Sequence, residues 1–156
     1  MGIEVKLAEK EQEFNEWWKI YSNLAQVKKF GRQNYLFVKE LFQRKGLSKL
    51  FVSVKDNKII GGSFFLVDEY PMYWLGAFDR KFKHYAPGHL TIWEAIIFLK
   101  EKEYQLLDLG GVSSVESKEG PDFFKKSFNG EFKKGYIYEI PINKFKNLAL
   151  KFISKI

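Results

Sequence analysis

The run LFVSVKDNKIIGGSFFLVDEYPMYWLGAF, residues 50–78, decides how this 156-residue chain is organised. Leu50, Val52 and Val54 alternate with their neighbours, Asp56-Asn57 is a two-residue turn signal, and Ile59 to Val67 supplies the returning strand of a hairpin. Gly61-Gly62 inside that return predicts a bulge or a close backbone approach, although a tight turn would also explain the pair. Asp68, Glu69 and Pro71 mark a second turn, and Met72 to Phe78 makes a third antiparallel strand.

Upstream, Ile3, Val5 and Leu7 alternate as a short strand. Phe14, Trp17, Trp18, Tyr21, Leu24 and Ala25 then recur at helical spacing, with Glu11, Glu13 and Glu16 early, where the helix dipole favours acids. Gly31 reads as the stop. A second helix runs from about Gln33 to Lys45, with Phe37, Val38, Leu41 and Phe42 on one face and Gly46 ending it.

Downstream comes a basic irregular segment, Arg80 to Gly88, and a helix from about His89 to Lys102. Trp93 reads as a core residue of that helix, as Trp17 and Trp18 do of the first. Gln105 to Leu109 reads as a buried strand, joined by a parallel crossover. A polar loop leads to a short helix, Pro121 to about Phe128, stopped by Asn129-Gly130. Phe132 to Ile140 reads as a strand and the remainder as a last helix. The fold class is α/β around one mixed sheet, in the order β-α-α-β-β-β-α-β-α-β-α, with residues 1–156 as a single domain.

Composition narrows the chemistry. There is no cysteine, which excludes thiolate nucleophiles, disulfides and cysteine metal sites. The two histidines, His84 and His89, have no carboxylate at ligand spacing, so no metal is expected. Aromatic residues reach 18%, so clefts should be ring-lined. No apolar run is long enough to span a bilayer and the first residues do not read as a signal peptide, so a cytoplasmic protein is expected. The net charge is +7, concentrated beyond Phe123, where Lys outnumber Glu131 and Glu139. Such a field suits an anionic partner such as RNA, a phosphorylated substrate or an acidic membrane; a solvated lysine face explains it equally well. The last helix, with an apolar stripe and Lys144, Lys146, Lys151 and Lys155, suits peripheral membrane contact or docking on the protein's own core.

The element order resembles the GNAT superfamily N-acyltransferase fold. The motifs YWLGAFD (73–79), the Pro87-Gly88 helix start, LLDLGGV (106–112) and GPDFFKKSFNG (120–130) resemble its Fem-type branch, the aminoacyltransferases that build peptidoglycan interpeptide bridges. Fem-type enzymes carry two such units and this chain has one, which implies pairing into a homodimer. The resemblance implies an enzyme forming an amide on an amine of a small-molecule or lipid-linked acceptor, such as a cell-wall precursor. No permanently bound cofactor is implied. The donor would be aminoacyl-tRNA or acyl-CoA. Coenzyme-A-dependent members carry a glycine-rich pyrophosphate loop and a Tyr on the following helix. Here the loop has Pro87 and one late glycine, and Phe123, Phe124 and Phe128 replace any Tyr, which favours the tRNA ester.

By the resemblance, Lys125 lies at the transfer centre, where its ammonium would stabilise the oxyanion and the departing oxygen. Taken alone, it decorates a solvated helix face. Asp108 would orient or deprotonate the attacking amine, or else it bonds the turn N–H groups of Gly110 and Gly111. Phe124 and Phe128 would shape the pocket. Gly110 and Gly111 would admit substrate or simply make a tight turn, Arg80 would face a phosphate or belong to a solvated basic loop, and Tyr136 would line an acceptor groove or pack in the core with its hydroxyl exposed. Two rivals stay open: an acetyl-CoA-dependent N-acetyltransferase, and a non-catalytic basic module for RNA or another anionic partner.

Overall fold

The computed structural model describes residues 2–136. They fall into two compact units, one ending at Ser113 and one beginning at Ser114.

The first unit is a four-stranded antiparallel sheet in the order β1-β2-β3-β4, flanked by helices. Its elements are β1 (Glu4–Leu7), α1 (Glu11–Lys28), α2 (Tyr35–Gln43), β2 (Ser48–Lys55), β3 (Lys58–Leu66), β4 (Met72–Phe78), a 3-10 turn over Arg80–Tyr85, and α3 (Pro87–Glu101). The β2–β3 loop is two residues long, with Asp56 and Asn57 both in the left-handed region at φ 48° and 60°. That geometry matches the strand twist and makes the hairpin tight.

Helix α1 starts where the Glu13 carboxylate accepts the N–H groups of Glu9 and Lys10 at 2.9 and 3.0 Å, satisfying donors that the helix cannot. It stops at Lys29, which turns left-handed at φ 55°, two residues before the expected Gly31. Asn34 caps α2 by accepting the Phe37 N–H at 3.1 Å, so that helix begins two residues later than the spacing suggests. Between these helices and the sheet lies a ring-rich core. Phe14 stacks on Phe42 at 5.0 Å and Trp17 on Tyr21 and Phe64 at 5.7 and 5.8 Å. Trp17 and Phe14 are fully buried, as expected.

Three expectations need correction. Trp93 is 59% exposed, because α3 turns Thr91, Ile92, Ala95 and Leu99 toward the sheet and Trp93 away from it. The segment 105–109 is not a buried strand: Leu106 is 45% exposed, and pairing reduces to one parallel bridge, Met72 to Asp108. The direction of the crossover is as expected. Phe132–Tyr136, the described part of the next expected strand, is not extended in a ladder. The rest of that strand and the final helix lie outside the described residues.

The second unit contains α4 (Gly120–Lys126). Asp122 accepts the Ser114 N–H at 3.0 Å, and the Lys126 ammonium donates to the carbonyls of Val115 and Ser117, folding the polar loop back onto the helix. No described helix is long and apolar enough to cross a membrane.

Candidate functional site

Two register shifts shape β4 and its neighbour. In β3 the pairing with β2 skips Ile60, and in β4 the pairing with β3 skips Trp74. Each skipped residue is a bulge, which leaves an unpaired backbone step and bends the strand. On the outer side of β4, the Tyr73 N–H donates to the Asp108 carbonyl and the Asp108 N–H donates to the Pro71 carbonyl, both at 2.8 Å. Among the described residues the pairing ends there. Among the described residues no strand pairs with the outer edge of β4 from Trp74 onward.

The glycine pair in β3 is explained by close approach. A Cβ on Gly62 would lie 2.7 Å from Trp17 Cδ1, whose indole N–H donates to the Gly62 carbonyl at 3.1 Å. A Cβ on Gly61 would meet Phe78 at 2.9 Å and Pro87 at 3.2 Å, so Gly61 seats the buried start of α3. Ser63 donates to Thr91 at 2.7 Å, and Thr91 in turn to the Gly88 carbonyl at 3.0 Å, fixing α3 to the sheet through buried hydroxyls.

Before α3, the expected irregular segment is a 3-10 turn capped by Asp79, which accepts the Lys81 N–H at 3.0 Å. Arg80, Lys81, Lys83 and His84 are exposed on it. The first turn of α3 is short of donors. The Ala86 N–H is taken by the Lys83 carbonyl, Pro87 has none, and the His89 and Leu90 N–H groups both go to the Ala86 carbonyl. Among the described residues this leaves the Gly88 N–H, fewer than an anion cradle built from backbone would offer. Burial lowers the His89 imidazole below its ordinary value, which favours its neutral form.

Asp108, Gly110 and Gly111 stand together just after the bridge. The Asp108 carboxylate accepts the Gly110 N–H at 2.6 Å, and Gly110 sits at φ 77°, where a side chain would be strained. The local bond foreseen for Asp108 is therefore present. At Gly111 an added Cβ would meet open space. In the second unit, Lys125 is half-buried on α4, Phe124 and Phe128 meet edge to face at 5.5 Å, and Tyr136 is 68% exposed.

Tyr73 was not singled out from the sequence. Its hydroxyl passes so close over Gly76 that a Cβ there would lie 1.9 Å away. Burial pushes its phenol up to about 12, so it keeps its proton at neutral pH. The available signal was the isolated glycine within YWLGAF, which marks such an approach inside a strand.

The model of the acetyltransferase (GNAT) domain matches residues 1–126. The chain belongs to the GNAT acetyltransferase family. The chemistry of that family is acyl transfer with acetyl-CoA as co-substrate. Solved structures agree on the fold. An aminoglycoside acetyltransferase from an uncultured soil metagenomic sample, solved with sisomicin, superposes with a TM-score of 0.68 at 16% identity, covering 88% of this chain and 95% of that one. The ribosomal-protein-alanine N-acetyltransferase of Brucella melitensis biovar Abortus 2308 gives 0.65 at 12% identity, covering 89% and 99%. A GNAT-family acetyltransferase of Staphylococcus aureus Mu50 gives 0.66 at 13% identity, covering 88% and 90%. No curated protein matches the chain.

Proposed function

We propose that the protein transfers an acyl group from acyl-CoA to a primary amine on a small acceptor. The observation that carries this reading is the outer edge of β4, which among the described residues pairs through one bridge only and is bulged at Trp74. The arm of coenzyme A is extended and bears peptide-like amides, so it can add to such an edge as a strand does. The free amine attacks the thioester carbonyl, the C–N bond forms, the C–S bond breaks, and the proton lost from nitrogen balances the one gained by the departing sulfur, so that amide and free thiol result. Asp108, already holding the turn at Gly110, is the group of the first unit that orients the amine. In the second unit Lys125 is the charge stabiliser, with Phe124 and Phe128 as apolar wall and Tyr136 on the acceptor side. Arg80 offers its guanidinium to the donor's phosphates.

A second reading, an aminoacyl-tRNA ester as donor in the Fem manner, is favoured by one observation. Among the described residues, the first turn of α3 leaves the Gly88 N–H for a pyrophosphate. One experiment separates the two. The protein is incubated with acetyl-CoA and a panel of primary amines that includes an aminoglycoside, and free thiol is measured. Amine-dependent thiol release is expected, falling about 100-fold in kcat in Lys125→Met, the scale of losing one oxyanion partner. Asp108→Asn should keep the turn, because its amide oxygen still accepts the Gly110 N–H, yet lower kcat. No release from acetyl-CoA, with amide formed from charged tRNA, selects the second reading. Inactivity with both donors overturns acyl transfer.

A further inference from the structure

On the face of the sheet that carries α1 and α2, the bulged residue of β4 meets the first turn of α2. The half-buried Trp74 ring lies edge to face with the fully buried Phe64 at 6.0 Å and with Phe37 at 6.1 Å. Phe37 is 53% exposed and Leu36 beside it 71%, whereas Val38 and Phe42 of the same helix are buried. Phe37 is therefore not needed to close the core. It is held in place nonetheless, because the Asn34 side chain accepts its N–H and Trp74 braces its ring. A ring that is fixed in advance and open to solvent offers contact area at little cost in entropy.

This wall stands beside the edge that the acyl-transfer reading gives to the donor. Trp74 is the unpaired step of β4, and the Tyr73 N–H next to it donates to the Asp108 carbonyl. An amine that approaches the edge from the α1 and α2 face meets Phe37 and Trp74 first. Such rings can hold an apolar body by contact, or an ammonium by its attraction to the ring face. Charge decides between the two. From Trp17 to Lys39 the chain carries Lys19, Lys28, Lys29, Arg32 and Lys39 and no carboxylate. Among the described residues, Lys39 alone of these five has an ion-pair partner, Glu11. The connection that leads into Phe37 therefore repels a polycation.

We infer that the acceptor is a monoamine with an aromatic body, which packs on Phe37 and Trp74, and not a polycation. The inference rests on the acyl-transfer reading and names its substrate class. The test measures thiol release from acetyl-CoA with 2-phenylethylamine, ethylamine and the aminoglycoside sisomicin. Binding of 2-phenylethylamine alone is followed separately by ¹H–¹⁵N titration of the full chain, read at the Trp74 indole and the Phe37 amide. We expect kcat/KM for 2-phenylethylamine to exceed that for either other amine by about tenfold or more. Phe37→Ala should cut the preference over ethylamine by about fivefold, through KM and not kcat, and Phe37→Leu should restore part of it. Trp93→Ala, an exposed ring on α3, should leave the preference intact. Ethylamine or sisomicin used as well as 2-phenylethylamine, or a preference that Phe37→Ala does not move, overturns the inference while acyl transfer stands. Thiol release from none of the amines overturns the acyl-transfer reading instead; saturable shifts at Trp74 and Phe37 then keep the aromatic subsite, and their absence overturns it too.

Discussion

Replacing Gly62 by alanine tests the packing logic of the first unit directly. The new methyl would lie 2.7 Å from Trp17 Cδ1 and 2.9 Å from the Phe51 carbonyl. Neither neighbour can retreat: Trp17 is wholly buried among rings, and Phe51 belongs to the adjacent strand of the ladder. Forcing a methyl into a filled core costs about 1–3 kcal/mol. Displacing the indole also endangers its 3.1 Å bond to the Gly62 carbonyl, worth about 0.5–1.5 kcal/mol. Alanine returns about 0.4–1 kcal/mol through a less flexible unfolded chain. The net loss centres on about 2 kcal/mol, which for a chain of this size lowers Tm by about 6 °C. Urea titration followed by tryptophan fluorescence measures it, with Gly46→Ala as control, since nothing lies within 4 Å of a Cβ there. A Gly62→Ala variant as stable as the Gly46→Ala control would refute the close-approach explanation of the glycine pair.

Other outcomes follow from the same geometry. Glu13 is held below the ordinary carboxylate range. Burial opposes its charge, but the Lys6 ammonium and the N–H groups of Lys10 and Glu9 outweigh it. The stability from this carboxylate is therefore present above the unfolded value of 4.5 and lost as pH falls through the folded one. Glu13→Gln should cost about 1 kcal/mol at pH 7, and the gap to the parent should narrow in urea titrations carried toward pH 3. Trp93→Ala should cost under about 1 kcal/mol, against about 3–5 kcal/mol for Trp17→Ala, because only the second opens a cavity. Equal losses in thermal melts would mean that α3 buries a different face.

The meander was legible because its signals are local. Alternation marks β2 to β4, and Asp56-Asn57 closes the hairpin with residues that tolerate the left-handed region. The bulge at Ile60 was marked by the adjoining glycine pair, whereas the one at Trp74 was not, since a register shift there depends on the partner strand. Leu106, Leu107 and Leu109 misled for a related reason: a short apolar run does not say whether anything covers it. Trp93 misled because several faces of α3 are apolar, and only the sheet decides which turns inward. At the site, the bond from Asp108 to the Gly110 N–H could be foreseen from D-x-G. The approach of the Tyr73 hydroxyl to Gly76 spans a bend that the sequence does not display.

The tie between Trp17 and Gly62 also bears on the order in which the chain assembles. The β2–β3 hairpin closes over two residues, so it can form with little loss of loop entropy. The indole bond joins positions 45 apart, so α1 can reach its seat only after a long loop has been gathered. Loop entropy therefore predicts that the hairpin forms first and α1 docks on it late, so Trp17→Phe should speed unfolding more than it slows folding in stopped-flow experiments.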